Sequence, residues 1–333
     1  MKRVAGSVAF TLRAHVATIL LAALAIGVLS AGIRHVESGL ACADRAVCYG
    51  QIGHTQAAGA PAIDARRALT PQSWAKRAHR LLASALVVLA LALVYRTRKA
   101  GLRSGPAAVI PLTMVALLLA LAIVGPMSHL KTLPGIATVN LLGGTALAAL
   151  AWRLLLTLAP ETRYRSTSVL RHGTRIALLL LVLQIVSGAW VSANFAGLAC
   201  SGLPGCIDTR AVAVAPSAPA LAPARELALD PAGRVVTDAT AFTINTLHRV
   251  GALASALALG LACLLAARAR IPARSWMPLA LLLALQCALG VGTLASTLAL
   301  PLTLAHGLLS TLLLLAALRF DHALQDPTGG TLR

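Results

Sequence analysis

The chain has 333 residues, of which 58% are hydrophobic and only 12% charged, and its mean hydropathy is +0.81. Soluble domains carry about 25% charged residues, so an ordinary soluble globular domain is excluded. Lys and Arg outnumber Asp and Glu by 29 to 10, a formal net charge of +19, and what that excess means depends on where it falls.

In chain order, eight apolar runs approach the roughly 20 residues that carry a helix across a bilayer about 30 Å thick. They cover residues 14–33, 79–95, 106–128, 133–152, 174–194, 246–267, 275–295 and 299–318, and they predict an all-α integral membrane protein with eight transmembrane helices. The first run is not read as a cleaved signal, because no small-residue cleavage site followed by a polar mature domain comes after it. Basic residues cluster on alternate connections. Lys2, Arg3 and Arg13 precede the first run, and Arg96, Arg98, Lys99 and Arg103 follow the second. Arg163, Arg165, Arg171 and Arg175 precede the fifth, and Arg268, Arg270 and Arg274 separate the sixth and seventh. The positive-inside rule makes that side cytoplasmic and puts both termini there. Glu37, Asp44, Asp64, Asp208, Glu226, Asp230 and Asp238 fall on the opposite side. The charge is therefore an orientation signal, and a nucleic-acid partner is not expected.

Two long outer loops are expected at 34–78 and 195–245. The first contains GLACADRAVC (39–48) and the second GLACSGLPGC (197–206). In an oxidising outer compartment Cys42 with Cys48, and Cys200 with Cys206, can each close a small ring. Matched spacing in matched loops favours two local disulfides over four independent thiols. Metal binding by all four would require the pairs to meet across separate loops, and redox use stands as a third option. Cys263 and Cys287 lie inside spans and read as packing residues. The Ala/Pro-rich stretch 211–233 predicts an extended segment rather than a long helix.

The cysteine motif belongs to a longer duplication, since AHRLLASAL (78–86) returns as LHRVGALASAL (247–257). The division is into 1–157 and 158–333, four spans each, as parallel repeats about an axis along the membrane normal. Two pseudo-symmetric four-helix bundles are the expected architecture, and bundle cores are where cofactor sites are built. The second span opens with His79-Arg80, the sixth with His248-Arg249, and His306 follows Leu300-Pro301 in the eighth. In the fourth span, after Leu133-Pro134, Asn140 stands where the pattern leads one to expect a histidine, one residue further from its proline than His306 is from Pro301. A single histidine at a helix end is ordinarily interfacial, but ionisable groups recurring at one membrane depth mark function. Two imidazoles on facing helices suit the two axial positions of a heme iron. Zinc would want further Cys, Asp or Glu ligands at that depth, and the spans contain no carboxylate there. Arg80 and Arg249 could pair with heme propionates or simply snorkel to headgroups.

Over nearly its whole length the chain resembles the heme A synthase family of cytochrome oxidase assembly. The resemblance is carried by IRHVESGLACADRAVCYG (33–50), SWAKRAHRLLAS (73–84), LPGIATVNLLGG (133–144), QIVSGAWVSANFAGLACSGLPGC (184–206), INTLHRVGAL (244–253) and LGVGTLASTLALPLTLAHG (289–307). It implies a heme b in the C-terminal half and heme O, as substrate, in the N-terminal half. The implied reaction oxidises a methyl group of heme O to the formyl of heme A by successive hydroxylations. By the same resemblance His248 and His306 are the heme b ligands and His79 is the first ligand and catalytic residue of the other half. Cys42 with Cys48 and Cys200 with Cys206 match the outer-loop pairs proposed as disulfides. Implied partners are heme O synthase, cytochrome oxidase assembly factors and an external electron donor, since the inner loops are too short for a flavin or nucleotide domain. The implied location is a bacterial cytoplasmic membrane, with the cysteine loops on the periplasmic side.

Departures from the family pattern cluster in the N-terminal half. Asn140 replaces a histidine, with His129 as a substitute ligand to be considered. Lys76 replaces a glutamate three residues before His79, and Ala43-Asp44-Arg45 replaces Pro-Asp-Trp. Two readings follow: a heme A synthase, or a non-catalytic heme b-binding relative serving assembly, heme handling or electron transfer. A transporter built from parallel repeats is a third class, with little mid-membrane polarity to support it.

Overall fold

A computed structural model describes residues 6–40, 45–52, 71–159, 163–200 and 218–325. Eight long helices dominate it: α1 (Gly6–His35), α2 (Pro71–Lys99), α3 (Pro106–Val124), α4 (Pro134–Leu158), α5 (Ser168–Ala193), α6 (Ala239–Arg268), α7 (Ala273–Ala295) and α8 (Leu300–Ala323). Each is long and apolar enough to cross a membrane. Among the described residues there is no strand, only the isolated bridges Gln51–Arg234 and Leu229–Val235.

Every expected run became one helix, and several helices overrun their apolar stretch. α2 begins eight residues before its run, because Gln72–Ala78 contains no helix breaker and a proline opens it. α6 begins at Ala239, where the Asp238 carboxylate accepts from the Ala241 N–H at 2.9 Å; Thr167 caps α5 through the Leu170 N–H at 3.2 Å. Such caps satisfy donors that the first helical turn leaves free. Pro111 and Pro278 stand at matching places in α3 and α7, a further mark of the duplication.

α1 packs on α2 and α4, α3 on both α2 and α4, and a core of Val16, Ile19, Leu86, Leu93, Met114 and Leu154 fills the space between them. α5 packs on α6 and α8, α7 on α6 and α8, around Leu181, Leu259, Leu279, Leu313 and Phe320. Gly143 lets α3 and α4 approach closely, since a Cβ there would lie 2.5 Å from a Leu121 methyl. Large apolar side chains such as Leu81, Ile123 and Val169 are more than two-thirds exposed. That is costly in water and matched in lipid.

α1, α4, α5 and α8 join the two sets of helices, with Thr145 and Thr311 hydrogen bonded across α4 and α8 at 3.1 Å. At the arginine-rich end, Arg153 and Arg175 lie 3.9 and 3.6 Å from the carboxylate of Asp321. The ties at the cysteine-loop end are more directed. Arg34 donates to the Ser192 and Ala193 carbonyls at the end of α5 (2.9 and 3.2 Å) and its guanidinium sits 4.5 Å over the Phe195 ring. His35 Nε2 reaches the Leu298 carbonyl at 2.8 Å. Arg45 donates to the Ser296 and Thr297 carbonyls just past α7, at 3.0 and 3.1 Å. Carbonyls at and just past helix ends lack the i+4 donor that the helix interior supplies, and the Ser192 oxygen has only the Phe195 N–H at 3.3 Å besides Arg34 and the capping Asn194 N–H. Arg34→Ala is expected to cost about 2–4 kcal/mol, read as a lower unfolding midpoint of the detergent-solubilised protein. An unchanged midpoint would show that these bonds contribute nothing net.

Candidate functional site

The cysteine-loop end of α6 presents three side chains in two directions. Asn245 and Arg249, four residues apart and so on one helix face, hold the second cysteine loop. Buried Asn245 donates to the Ala196 and Gly197 carbonyls at 2.6 and 3.3 Å, and an Arg249 terminal nitrogen donates to the Cys200 carbonyl at 2.6 Å. Arg249, expected toward a propionate, is thus engaged in holding the loop. Nearby, the Tyr49 hydroxyl accepts from the Gly197 N–H at 3.3 Å, and burial pushes its phenol above the ordinary value, keeping it neutral.

His248 turns the other way, onto α5. Its Nδ1 lies 2.9 Å from Ser187 Oγ and 3.0 Å from Gln184 Nε2, and the same amide donates to the His248 carbonyl at 3.0 Å. Ser187 Oγ also donates to the Gln184 carbonyl at 2.8 Å, so one hydroxyl bridges the ring and the backbone of α5. The contact of His248 Nε2 with Gln184 is a long 3.5 Å, which leaves Nε2 the less engaged of the two ring nitrogens. Gly188 makes room for the ring, since a Cβ there would come 3.1 Å from His248 Cε1.

α7 and α8 repeat the arrangement. Gln286 Nε2 approaches His306 Nε2 at 3.4 Å, and a Cβ on Gly290 would meet His306 Cε1 at 3.3 Å. His306 Nδ1 and Gln286 Oε1 are buried with no hydrogen-bond partner, and a buried imidazole nitrogen left unsatisfied is costly unless something binds it. Each histidine is therefore backed by a Gln-x3-Gly element on the preceding helix, QIVSG (184–188) and QCALG (286–290). Only the first lies within a motif that carries the family resemblance, and Gln286 precedes the nearest such motif by three residues; the repeated spacing marks the element but not the histidine it faces. Among the described residues no three His, Cys, Asp or Glu side chains converge. Paired imidazoles, glycine-cleared rings and an orphaned ring nitrogen suit a heme iron better than a carboxylate- or thiolate-seeking ion.

The other half differs. His79 on α2 and Asn140 on α4 are half-buried, Arg80 is exposed, and no hydrogen bond among the described residues joins His79 to Asn140. Lys76 Nζ lies 2.7 Å from Glu37 Oε1. Aligned on the two His-Arg pairs, Lys76 occupies the place of Asn245, and like Asn245 it ties the following helix to the start of a cysteine loop. The lost carboxylate position is thus held against a carboxylate from the π-helical turn Val36–Leu40. Aligned on GLAC and on Leu-Pro, the places of Gln184, Gly188, Gln286 and Gly290 hold Ile26, Ser30, Leu119 and Ile123. No Gln-x3-Gly element backs this half. His129 ends the turn Gly125–His129, and its side chain lies outside the described residues. So do Cys42, Asp44, Asp64, Cys206 and Asp208. Among the described cysteines the free thiols are Cys263 and Cys287; Cys48 and Cys200 are not among them.

A family model described as cytochrome oxidase assembly protein (COX15-CtaA) matches residues 14–318. The heme A synthase of Shewanella oneidensis strain MR-1 is 29% identical over 326 residues, covering 93% of this chain and 96% of that protein.

Proposed function

The chain belongs to the COX15-CtaA family of cytochrome oxidase assembly proteins, and from that premise we propose that it is a multi-pass membrane enzyme of heme A synthase type. It holds heme b in its C-terminal half, 158–333, and takes heme O as substrate in its N-terminal half, 1–157. The observation carrying this reading is the pair His248 and His306, each backed by glutamine and cleared by glycine. When bound, heme b supplies one-electron redox chemistry. His248 and His306 hold its iron, Gln184, Ser187 and Gln286 orient the two rings, and Arg249 keeps the second cysteine loop against α6. His79 is the iron ligand offered to heme O, whose methyl group is oxidised to a formyl. Electrons come from an external donor, and heme O synthase and cytochrome oxidase assembly factors are the partners. Both termini and the arginine-rich end are cytoplasmic in this reading, and the cysteine loops are periplasmic. Cys42–Cys48 and Cys200–Cys206 pair as disulfides, a reading supported by Cys48 and Cys200 not being free thiols.

A second reading has specific support. With Asn140 in place of a ligand and Lys76 paired to Glu37, the N-terminal half lacks a second imidazole and a carboxylate beside His79. The chain would then be a non-catalytic heme b protein of the same family. Extracting and separating the hemes of the full-length protein, made in a host that supplies heme O, tells the two apart. The enzyme yields heme A or its hydroxylated intermediate beside heme B; heme B alone supports the second reading. Cys42→Ser with Cys48→Ser is expected to leave the heme B content unchanged, because neither residue contributes to the His248–His306 site. Loss of heme B in that variant would tie the first cysteine loop to the second half's cofactor.

A further inference from the structure

We propose that Gln184, Ser187 and Gln286 are positioning residues that set the ring orientation and donor strength of the two heme ligands of the C-terminal half. The inference rests on the heme b reading and goes beyond it to side chains that do not touch the iron.

Three observations carry it. First, the element occurs twice, each time behind a histidine, with the amide nearest Nδ1 in His248 and Nε2 in His306. It lies on the helix before, its glutamine amide against the imidazole (3.0 Å on His248, 3.4 Å on His306) and its glycine four residues on, beneath Cε1 at 3.1 and 3.3 Å. A polar amide inside a spanning helix is costly without a partner, and in both cases the imidazole is the partner supplied. Second, the Nδ1 side of the His248 ring is held by two groups of α5, Ser187 Oγ at 2.9 Å and the Gln184 amide at 3.0 Å, while Nε2 is the freer nitrogen. Partners on the far side of a ligating imidazole fix its orientation and tune its donor strength. Third, the helix faces related by the duplication, in the half whose second histidine is Asn140, carry Ile26 and Ser30 on α1 and Leu119 and Ile123 on α3. Both glutamines and both glycines are therefore confined to the half that carries two histidines, and the half that keeps only His79 of the pair has neither. Independent packing roles do not require that pattern.

α6 itself fixes the amide's place, because a Cβ on Gly251 would lie 2.5 Å from Gln184 Oε1. Gln184 thus sits in a slot between the His248 carbonyl and Gly251, so its contact with the ring is a built one.

The test uses the full-length protein in detergent, purified as Ser187→Ala, Gln184→Leu and Gln286→Leu beside His248→Ala. It reads heme B per chain, the heme midpoint potential and the low-spin ferric electron paramagnetic resonance spectrum. Each glutamine variant is expected to retain heme about tenfold less tightly and to show altered g-values in the fraction that stays bound. Ser187→Ala removes one oxygen and is expected to keep its heme and shift its midpoint potential, because the ligand loses a hydrogen-bond partner on Nδ1. Should the leucine variants not accumulate, Ser187→Ala decides alone. Unchanged retention, potential and g-values in the variants, with heme lost from His248→Ala, would overturn the inference and leave the heme reading intact. Heme retained in full by His248→Ala would overturn the reading beneath it.

Discussion

On the proposed heme b reading, alanine at His248 or at His306 is expected to empty the second half of its heme, with retention falling by at least about tenfold for either single variant. Each histidine lies on its own helix, backed by its own glutamine, so neither can replace the other. Among the described residues no third His, Cys, Asp or Glu stands close enough to substitute. A five-coordinate iron left on one imidazole would change spin state as well as affinity, so the loss shows in the absorption spectrum of whatever fraction remains. Pyridine hemochrome assay of the purified variants gives the measurement. Heme B at the wild-type level in both variants would place the iron elsewhere.

Adding one methyl group beneath the ring is expected to do nearly as much. A Cβ on residue 188 would lie 3.1 Å from His248 Cε1, tighter than an ordinary contact, and the ring cannot back away without leaving Ser187 and Gln184. Gly188→Ala therefore weakens heme retention by about tenfold, the scale on which displaced ligands lose metal. Gly290→Ala, with 3.3 Å available, has the same effect to a smaller degree. Gly260→Ala supplies the control, because nothing lies within 4 Å of its added Cβ. Alanine favours helix over glycine by about 1 kcal/mol, so that variant keeps its heme with equal or higher stability. Equal heme retention in all three would mean the glycines are not there for the rings.

The spans were legible because transmembrane helices are announced by length and apolarity, and each of the eight runs is one helix. Their ends were not. Gln72–Ala78 is polar but helix-competent, and the start of α6 depends on Asp238, a cap lying before any apolar residue. In the site, His248 and His306 stood out as ionisable groups in apolar helices, whereas Gln184 and Gln286 carry no charge and passed as ordinary polar residues. Their meaning lies in the helix they face, which spacing along one strand of sequence does not reveal. Lys76 illustrates the reverse. Its sequence signal was the loss of an acid, and the ion pair with Glu37 requires bringing together residues from either side of the first cysteine loop.

Arg34, His35 and Arg45 give the N-terminal half an occupation independent of any chemistry performed there. Five backbone carbonyls at the ends of α5 and α7, and in the turn leading to α8, are satisfied by side chains from the other repeat. Cut away, most of those oxygens would face a bilayer interface with water as their remaining partner, at the mouth of the bundle that carries His248 and His306. A gene that shed its first repeat would therefore lose the plug on its second. Selection on the helix that bears Arg34 is thus separable from selection on Asn140 and Lys76 as chemical groups, and the first repeat is held in place as fitted masonry whatever chemistry it performs.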